Sequence, residues 1–285
     1  MVPRLVDPAR LVKANSLLST TDQTVQMAGW AVGGVVVALL GWQNTLWLSL
    51  VLILISTVSL WWVKGDTVVE KGNDKKVSSL ESMKTGWSTI WRTPTLRIVM
   101  MMDVIEGIAN GVWAGAISLV YVNEVLHRGT DWFGFINASY FIGTISGGLL
   151  VIALSRWVEP RLIVSMIAGS LIFSLMTLGY ALTSLPTVAL ILCMLMGPAY
   201  QLRDIAQRTI FQTNVAVSEL PKVFAAQGSI IAVTFGVSVL IMGLITDLFG
   251  VRIAYLAAAG LFALSALMAL VFARTMNVKN LEERS

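Results

Sequence analysis

The sequence predicts an all-α integral membrane protein of eight transmembrane helices, with both termini on the cytoplasmic side. Three observations carry that expectation. Of the 285 residues, 56% are hydrophobic and only 13% are charged, where a soluble domain carries about a quarter charged residues. The apolar residues are gathered into runs, several of which pass the ~18-residue length that a membrane helix needs. All of the 20 Lys and Arg residues except Arg128 and Arg252 fall in or beside alternate loops, and the positive-inside rule places that richer side in the cytoplasm. An even number of spans follows. This composition excludes a soluble enzyme and a disulfide-stapled secreted domain. The net charge of +4 is spread over loops and forms no nucleic-acid-binding patch.

The spans are expected at 16–40, 43–63, 96–120, 133–154, 162–182, 187–207, 224–246 and 251–273. The first opens on Ser19, Thr20, Thr21, Asp22, Gln23 and Gln26. These must face protein or a water cavity, because each would be costly against hydrocarbon. The long connection 64–95 is mixed in sign, from Lys64 and Asp66 through Lys71, Asp74, Lys75 and Lys76 to Glu81 and Lys84, and ends with Trp87 and Trp91. It reads as a solvated cytoplasmic linker ending in a surface helix, although a mixture of Lys and Trp also suits a lipid-headgroup or partner surface. Around it the chain divides into a two-helix segment (1–63), a six-helix bundle (96–273) and a cytoplasmic tail (274–285). Gly34 and Gly41, bridging the first two spans, recur at the same spacing as Gly243 and Gly250 between the last two, the mark of an internal pseudo-repeat.

Several chemistries find no support. Cys193 and His127 are each the sole residue of their type, so neither a disulfide framework nor a His/Cys metal site is expected. No Walker-type loop occurs, so no ATP hydrolysis and no cofactor are expected. The N-terminus lacks the apolar core of a signal peptide.

Asp103 and Glu106 lie inside the third span among Met100, Met101, Met102, Val104 and Ile105. Entering near Leu96, that helix carries Glu106 about 15 Å deep, close to the bilayer midplane. Asn110 and Trp113 continue the same helix face at steps of three and four residues. Two carboxylates so close in a poor dielectric resist double ionisation, so one is expected to hold a proton near neutral pH. Such a site can exchange a proton for a cationic or polar substrate. The structural alternative is an acid paired with an Arg or hydroxyl of a neighbouring helix.

Asp22 and Gln26 sit one turn apart on the first span, followed on the same face by Gly29 and Gly33. These glycines, and Gly143 with Gly147 on the fourth span, form Gly-xxx-Gly surfaces that let another helix approach closely. The sixth span carries Gly197-Pro198, then Tyr200, Gln201, Arg203, Asp204, Gln207 and Arg208. The proline marks a bending point. Arg203 and Asp204 are adjacent, so they point in different directions and are expected to pair with different helices, as a gating ion pair or as a charge cluster at the membrane edge. Asn137 and Tyr140 line a cavity or fill buried hydrogen bonds.

Together these stretches resemble the major facilitator superfamily, in particular its bacterial drug, macrolide and siderophore exporters. The resemblance is carried by Val2-Pro3-Arg4-Leu5-Val6 through Ala14-Asn15-Ser16, and by Gly29-Trp30-Ala31-Val32-Gly33-Gly34, similar to the family's Gly-Pro-x-x-Gly-Gly antiporter motif with Trp30 in place of proline. It continues in Phe211-Gln212-Thr213, in Ser218-Glu219-Leu220-Pro221-Lys222-Val223, where Lys222 stands in place of arginine, and in a degenerate loop from Gly148 to Arg161 that keeps Arg156 and Arg161. It covers nearly the whole chain and aligns it with helices five to twelve of a twelve-helix transporter. Residues 1–63 are then the last two helices of an N-terminal half-bundle, and an N-terminal four-helix segment is missing. The resemblance implies proton-coupled efflux of a small amphipathic compound across the bacterial inner membrane, with the lipid bilayer, protons and the substrate as partners. The other readings are a non-transporting membrane fragment or interaction module that needs a separate N-terminal half, and a membrane enzyme. The last would need His, Asp or Ser clustered near one membrane face, and the sequence has no such cluster.

Overall fold

A computed structural model describes Pro3, Val6, Asp7 and residues 10–62 and 79–277 of the chain. All of the regular structure described is helical. The first element, α1 (Leu11–Trp62), is broken at Gly41, whose φ of 74° and ψ of 163° interrupt the helix. After the linker come α2 (Ser79–Arg92) and α3 (Pro94–Ala109), the latter extended by a 3-10 turn at Asn110–Trp113 before α4 (Gly115–Glu124). Then follow α5 (Asp131–Ala153), α6 (Leu162–Leu182), α7 (Pro186–Asn214), α8 (Leu220–Phe249) and α9 (Val251–Val271), with a short helix at Ala273–Asn277. Proline sits at the first or second position of α3, α7 and α8, where its missing N–H is not needed and its fixed φ suits a helix start.

Among the described residues, six helices are long and apolar enough to cross a membrane, and seven if the bent pair α3/α4 is one span. The first expected span, 16–40, is not among them: its backbone is helical, but most of the side chains from Trp30 to Ala38 lie outside the described residues. The third expected span is the bent one, with a break of 52° between its halves. Ala114 is extended there (φ −60°, ψ 138°), and the carbonyl of Val112 freed by the break accepts hydrogen bonds from Tyr255 Oη at 3.0 Å and Ser118 Oγ at 3.3 Å. A helix can break in mid-membrane only where neighbours satisfy the released backbone groups in this way.

Contacts divide the chain into two compact units, Met1–Gln23 with Ser79–Ser285, and Thr24–Ser78. The division by contacts thus falls at Gln23, inside the segment expected as 1–63, because the start of α1 is hydrogen-bonded to α7. In the smaller unit, the apolar span Leu39–Ser59 has none of its central window buried. In the larger unit α7 is the hub, packed against α5 and α6. The approach is at backbone contact. A Cβ on Gly143 would lie 2.0 Å from the Met194 carbonyl oxygen, and one on Gly197 would lie 2.2 Å from the Gly143 carbonyl carbon. Association of helices in lipid rests on such close packing, because lipid tails are as apolar as leucine. One end of the bundle is filled by Trp113, Tyr121, Tyr180 and Tyr255, whose rings lie 4.4–5.3 Å apart.

Candidate functional site

Five helices of the larger unit converge on one polar cluster. Helix α3 supplies Asp103 and Glu106, three residues apart on its buried face. Across from them α7 supplies Arg203 and Gln207, and single polar residues come from α6 (Ser170), α8 (Gln227) and α9 (Ser265). Asp103 and Glu106 are 7% and 6% exposed, so each carboxylate depends on protein partners, since an unpaired buried charge is strongly destabilising.

The two acids are held differently. Asp103 Oδ1 accepts hydrogen bonds from Arg203 Nη2 at 2.8 Å and Gln207 Nε2 at 2.6 Å, and its Oδ2 accepts from Gln227 Nε2 at 2.8 Å. All of these donors are nitrogens. Glu106 Oε1 accepts from two hydroxyls, Ser170 Oγ at 2.9 Å and Ser265 Oγ at 2.7 Å. Glu106 Oε2 lies 2.9 Å from Arg203 Nε, yet that nitrogen makes no aligned hydrogen bond. The contact is an ion pair without directional support. The cluster holds two carboxylates and one guanidinium, a formal charge of −1. Glu106 also borders a cavity of about 20 Å³ shared with Asn110, Tyr200, Arg203, Phe173 and Phe262, room for about one ordered water.

The expected pair of close carboxylates is present, and Arg203 with the hydroxyls of Ser170 and Ser265 supplies the neighbouring-helix partners of the structural alternative. Asn110 lies beside the pair on the cavity wall. Asp204, expected to pair with a different helix, instead pairs with Arg208 of its own helix at 2.9 Å. Asp22 is exposed and is not brought to the cluster, and Gln26 is exposed in the other unit. Gly143 and Gly147 both pack against α7, with a Cβ on Gly147 standing 2.4 Å from Pro198 Cα. Among the described residues nothing lies within 4 Å of a Cβ placed on Gly29, and the surroundings of Gly33 and Gly34 lie outside the described residues. Ser170, Gln227 and Ser265 escaped the sequence reading. Each lies in a largely apolar stretch of its helix, and a serine there can satisfy itself on its own backbone.

A set of apolar spans closing around a buried, ion-paired polar cluster defines a multi-pass helical membrane protein of the transporter kind. The model of the Major Facilitator Superfamily matches residues 1–200. The chain is 38% identical over 267 residues to the uncharacterized MFS-type transporter YfmI of Bacillus subtilis (strain 168), covering 94% of this chain and 66% of that protein. It is 31% identical over 281 residues to the uncharacterized MFS-type transporter YjbB of the same organism, covering 98% and 68%. A more distant relative, 22% identical and covering 86% and 59%, is the multidrug efflux pump Tap of Mycolicibacterium fortuitum. No solved structure matches the chain. The chain belongs to the major facilitator superfamily, a family of transporters and not of enzymes. It spans about two thirds of the length of its two nearer relatives named here.

Proposed function

We propose that this chain serves proton-coupled efflux of a small amphipathic compound, of the drug or siderophore class, across a bacterial inner membrane. The proposal includes eight spans with both termini cytoplasmic, in which the first helix crosses the bilayer with its polar face turned to protein. One observation carries the coupling role: Glu106 is the acid whose hold on Arg203 is not directional. Its other partners are hydroxyls, which can donate to a carboxylate or accept from a carboxylic acid. Protonation of Glu106 therefore leaves no partner stranded. It brings the formal charge of the cluster to zero and frees Arg203 to rest on Asp103 alone, loosening α7 against α3. Asp103, surrounded by nitrogen donors, is the fixed anchor.

Size separates the proton site from the substrate site. Ligand pockets enclose about 300–1,000 Å³, whereas the cavity beside Glu106 holds about 20 Å³. The cluster suits a proton, and Asp103, Glu106 and Asn110 act on the substrate through helix movement. The naming of one distant relative as a multidrug efflux pump supports the substrate class. The coverage of two thirds of the nearer relatives favours a second reading, in which the chain is a non-transporting module that works only with a separate N-terminal half. The test is Glu106→Gln in the full reading frame, followed by dye efflux from energised cells. Loss of efflux with normal membrane insertion is expected. Unchanged proton-driven efflux would sink the assignment of Glu106, and no efflux from the parent protein would favour the second reading.

A further inference from the structure

At the start of α3, on the helix that also carries Glu106, one corner of the larger unit carries exposed cations on three neighbouring segments. Helix α2 is two-faced. Trp87 and Ile90 are turned into the bundle core, and Gly86 sits so tightly on α8 that a Cβ there would lie 2.3 Å from the Lys222 carbonyl oxygen. On the outer face Lys84 and Arg92 are exposed, with Trp91 half exposed at 51%. The chain turns at Thr93 into α3, where Arg97 is exposed one turn later. The far end of the sequence returns to the same corner. Thr95 Oγ1 donates to the Met276 carbonyl at 3.4 Å, Met276 is buried, and Arg274 is exposed. No described residue forms an ion pair with Arg92, Arg97 or Arg274. The acid described against α2, Glu219, accepts from the Thr89 hydroxyl.

The apolar surface beside these cations indicates their partner. Met101, one turn beyond Arg97 on the same face and about 6 Å deeper, is 44% exposed. Val271, just before the helix that carries Arg274, is 74% exposed. Guanidinium groups suit phosphate oxygens, and a half-exposed Trp beside them marks the membrane interface. A free anion would engage the cations and leave the apolar strip unused. A molecule with a phosphate at one end and a hydrocarbon chain at the other engages both.

We propose that this corner binds an anionic phospholipid, its phosphate among Arg92, Arg97 and Arg274 and its acyl chain along Met101 and Val271. The inference is independent of the transport reading. The experiment is native mass spectrometry of the full chain in neutral detergent, titrated with phosphatidylglycerol, phosphatidylcholine or inorganic phosphate. One tight phosphatidylglycerol is expected. Arg97→Gln should weaken it about fivefold, and Arg92→Gln/Arg97→Gln/Arg274→Gln on the order of a hundredfold, from about 1 kcal/mol per cation near a membrane surface. Arg128→Gln and Arg252→Gln, at the other end of the bundle, should leave it unchanged. Should the triple variant fail to run as a single species in size exclusion, Arg97→Gln alone decides. Phosphatidylcholine binding as tightly as phosphatidylglycerol, or variants that keep full affinity, would overturn the proposal. Inorganic phosphate displacing the lipid at equal concentration would assign the corner to a free anion and overturn it as well.

Discussion

Asn15 and Gln212 exchange their side-chain amides: Asn15 Nδ2 donates to Gln212 Oε1 at 2.7 Å, and Gln212 Nε2 donates back to Asn15 Oδ1 at 3.1 Å. Asn15 is buried and also donates to Thr209 Oγ1 at 3.0 Å. One turn on, Ser19 Oγ donates to Gln201 Oε1 at 2.9 Å. This seam fixes the start of α1 to α7 with no formal charge, which avoids the desolvation penalty of an ion pair.

Removing one side of the pair strands the other. Asn15→Leu is expected to destabilise the protein by about 1–3 kcal/mol, the cost of an unsatisfied buried polar group. Asn15→Leu/Gln212→Leu should recover part of that loss, because no orphan amide is left. Thermal unfolding in detergent of the parent, both single variants and the double reads the coupling. Strict additivity would show that the two amides do not act as a pair.

Arg203 compensates two carboxylates at once. Arg203→Gln leaves both without a counter-charge and is expected to cost about 3–5 kcal/mol. Adding Asp103→Asn should restore a large part of it. Arg203→Lys should restore little, because an ammonium is a point charge that cannot present separate nitrogens to two acids. Melting temperatures of the parent and the three variants check the order, and a Lys variant as stable as the parent would contradict a bridging role.

Glycines on the same fold should respond in opposite ways. A Cβ on Gly143 would lie 2.0 Å from a backbone oxygen of α7, whereas no described residue lies within 4 Å of one on Gly228. Gly143→Ala must push two helices apart and should cost at least the ~1–3 kcal/mol of overpacking. Gly228→Ala should be neutral or stabilise the protein by up to about 1 kcal/mol through helix propensity. The folded yield after detergent extraction, followed by thermal unfolding, compares the two.

Much of the fold is legible in the residue order. The expected spans 162–182 and 251–273 fall on α6 (Leu162–Leu182) and α9 (Val251–Val271), because an apolar run bounded by polar turns leaves little choice of helix ends. The paired glycines Gly41 and Gly250 are the described glycines with positive φ, at 74° and 88°. With ψ of 163° and 154°, both occupy a region that side chains exclude, so each joins two helices through a single residue. The first span was harder to read, since Ser19 and the polar residues after it look costly in lipid until α7 supplies Gln201 to Ser19.

Apolar content and the placement of Lys and Arg determined that this chain lives in a membrane, because transfer into lipid is close to a sum over residues and so can be read along a line. Asp103 and Glu106 were visible for the same reason, as charges inside a run that should hold none. Which groups meet those charges was decided by tertiary structure alone. Arg203 lies one hundred residues from Asp103 and Ser265 lies 159 from Glu106, and no local spacing encodes those distances. Their meeting depends on how closely glycine-faced helices approach and how each is rotated about its axis, and both are properties of packed surfaces.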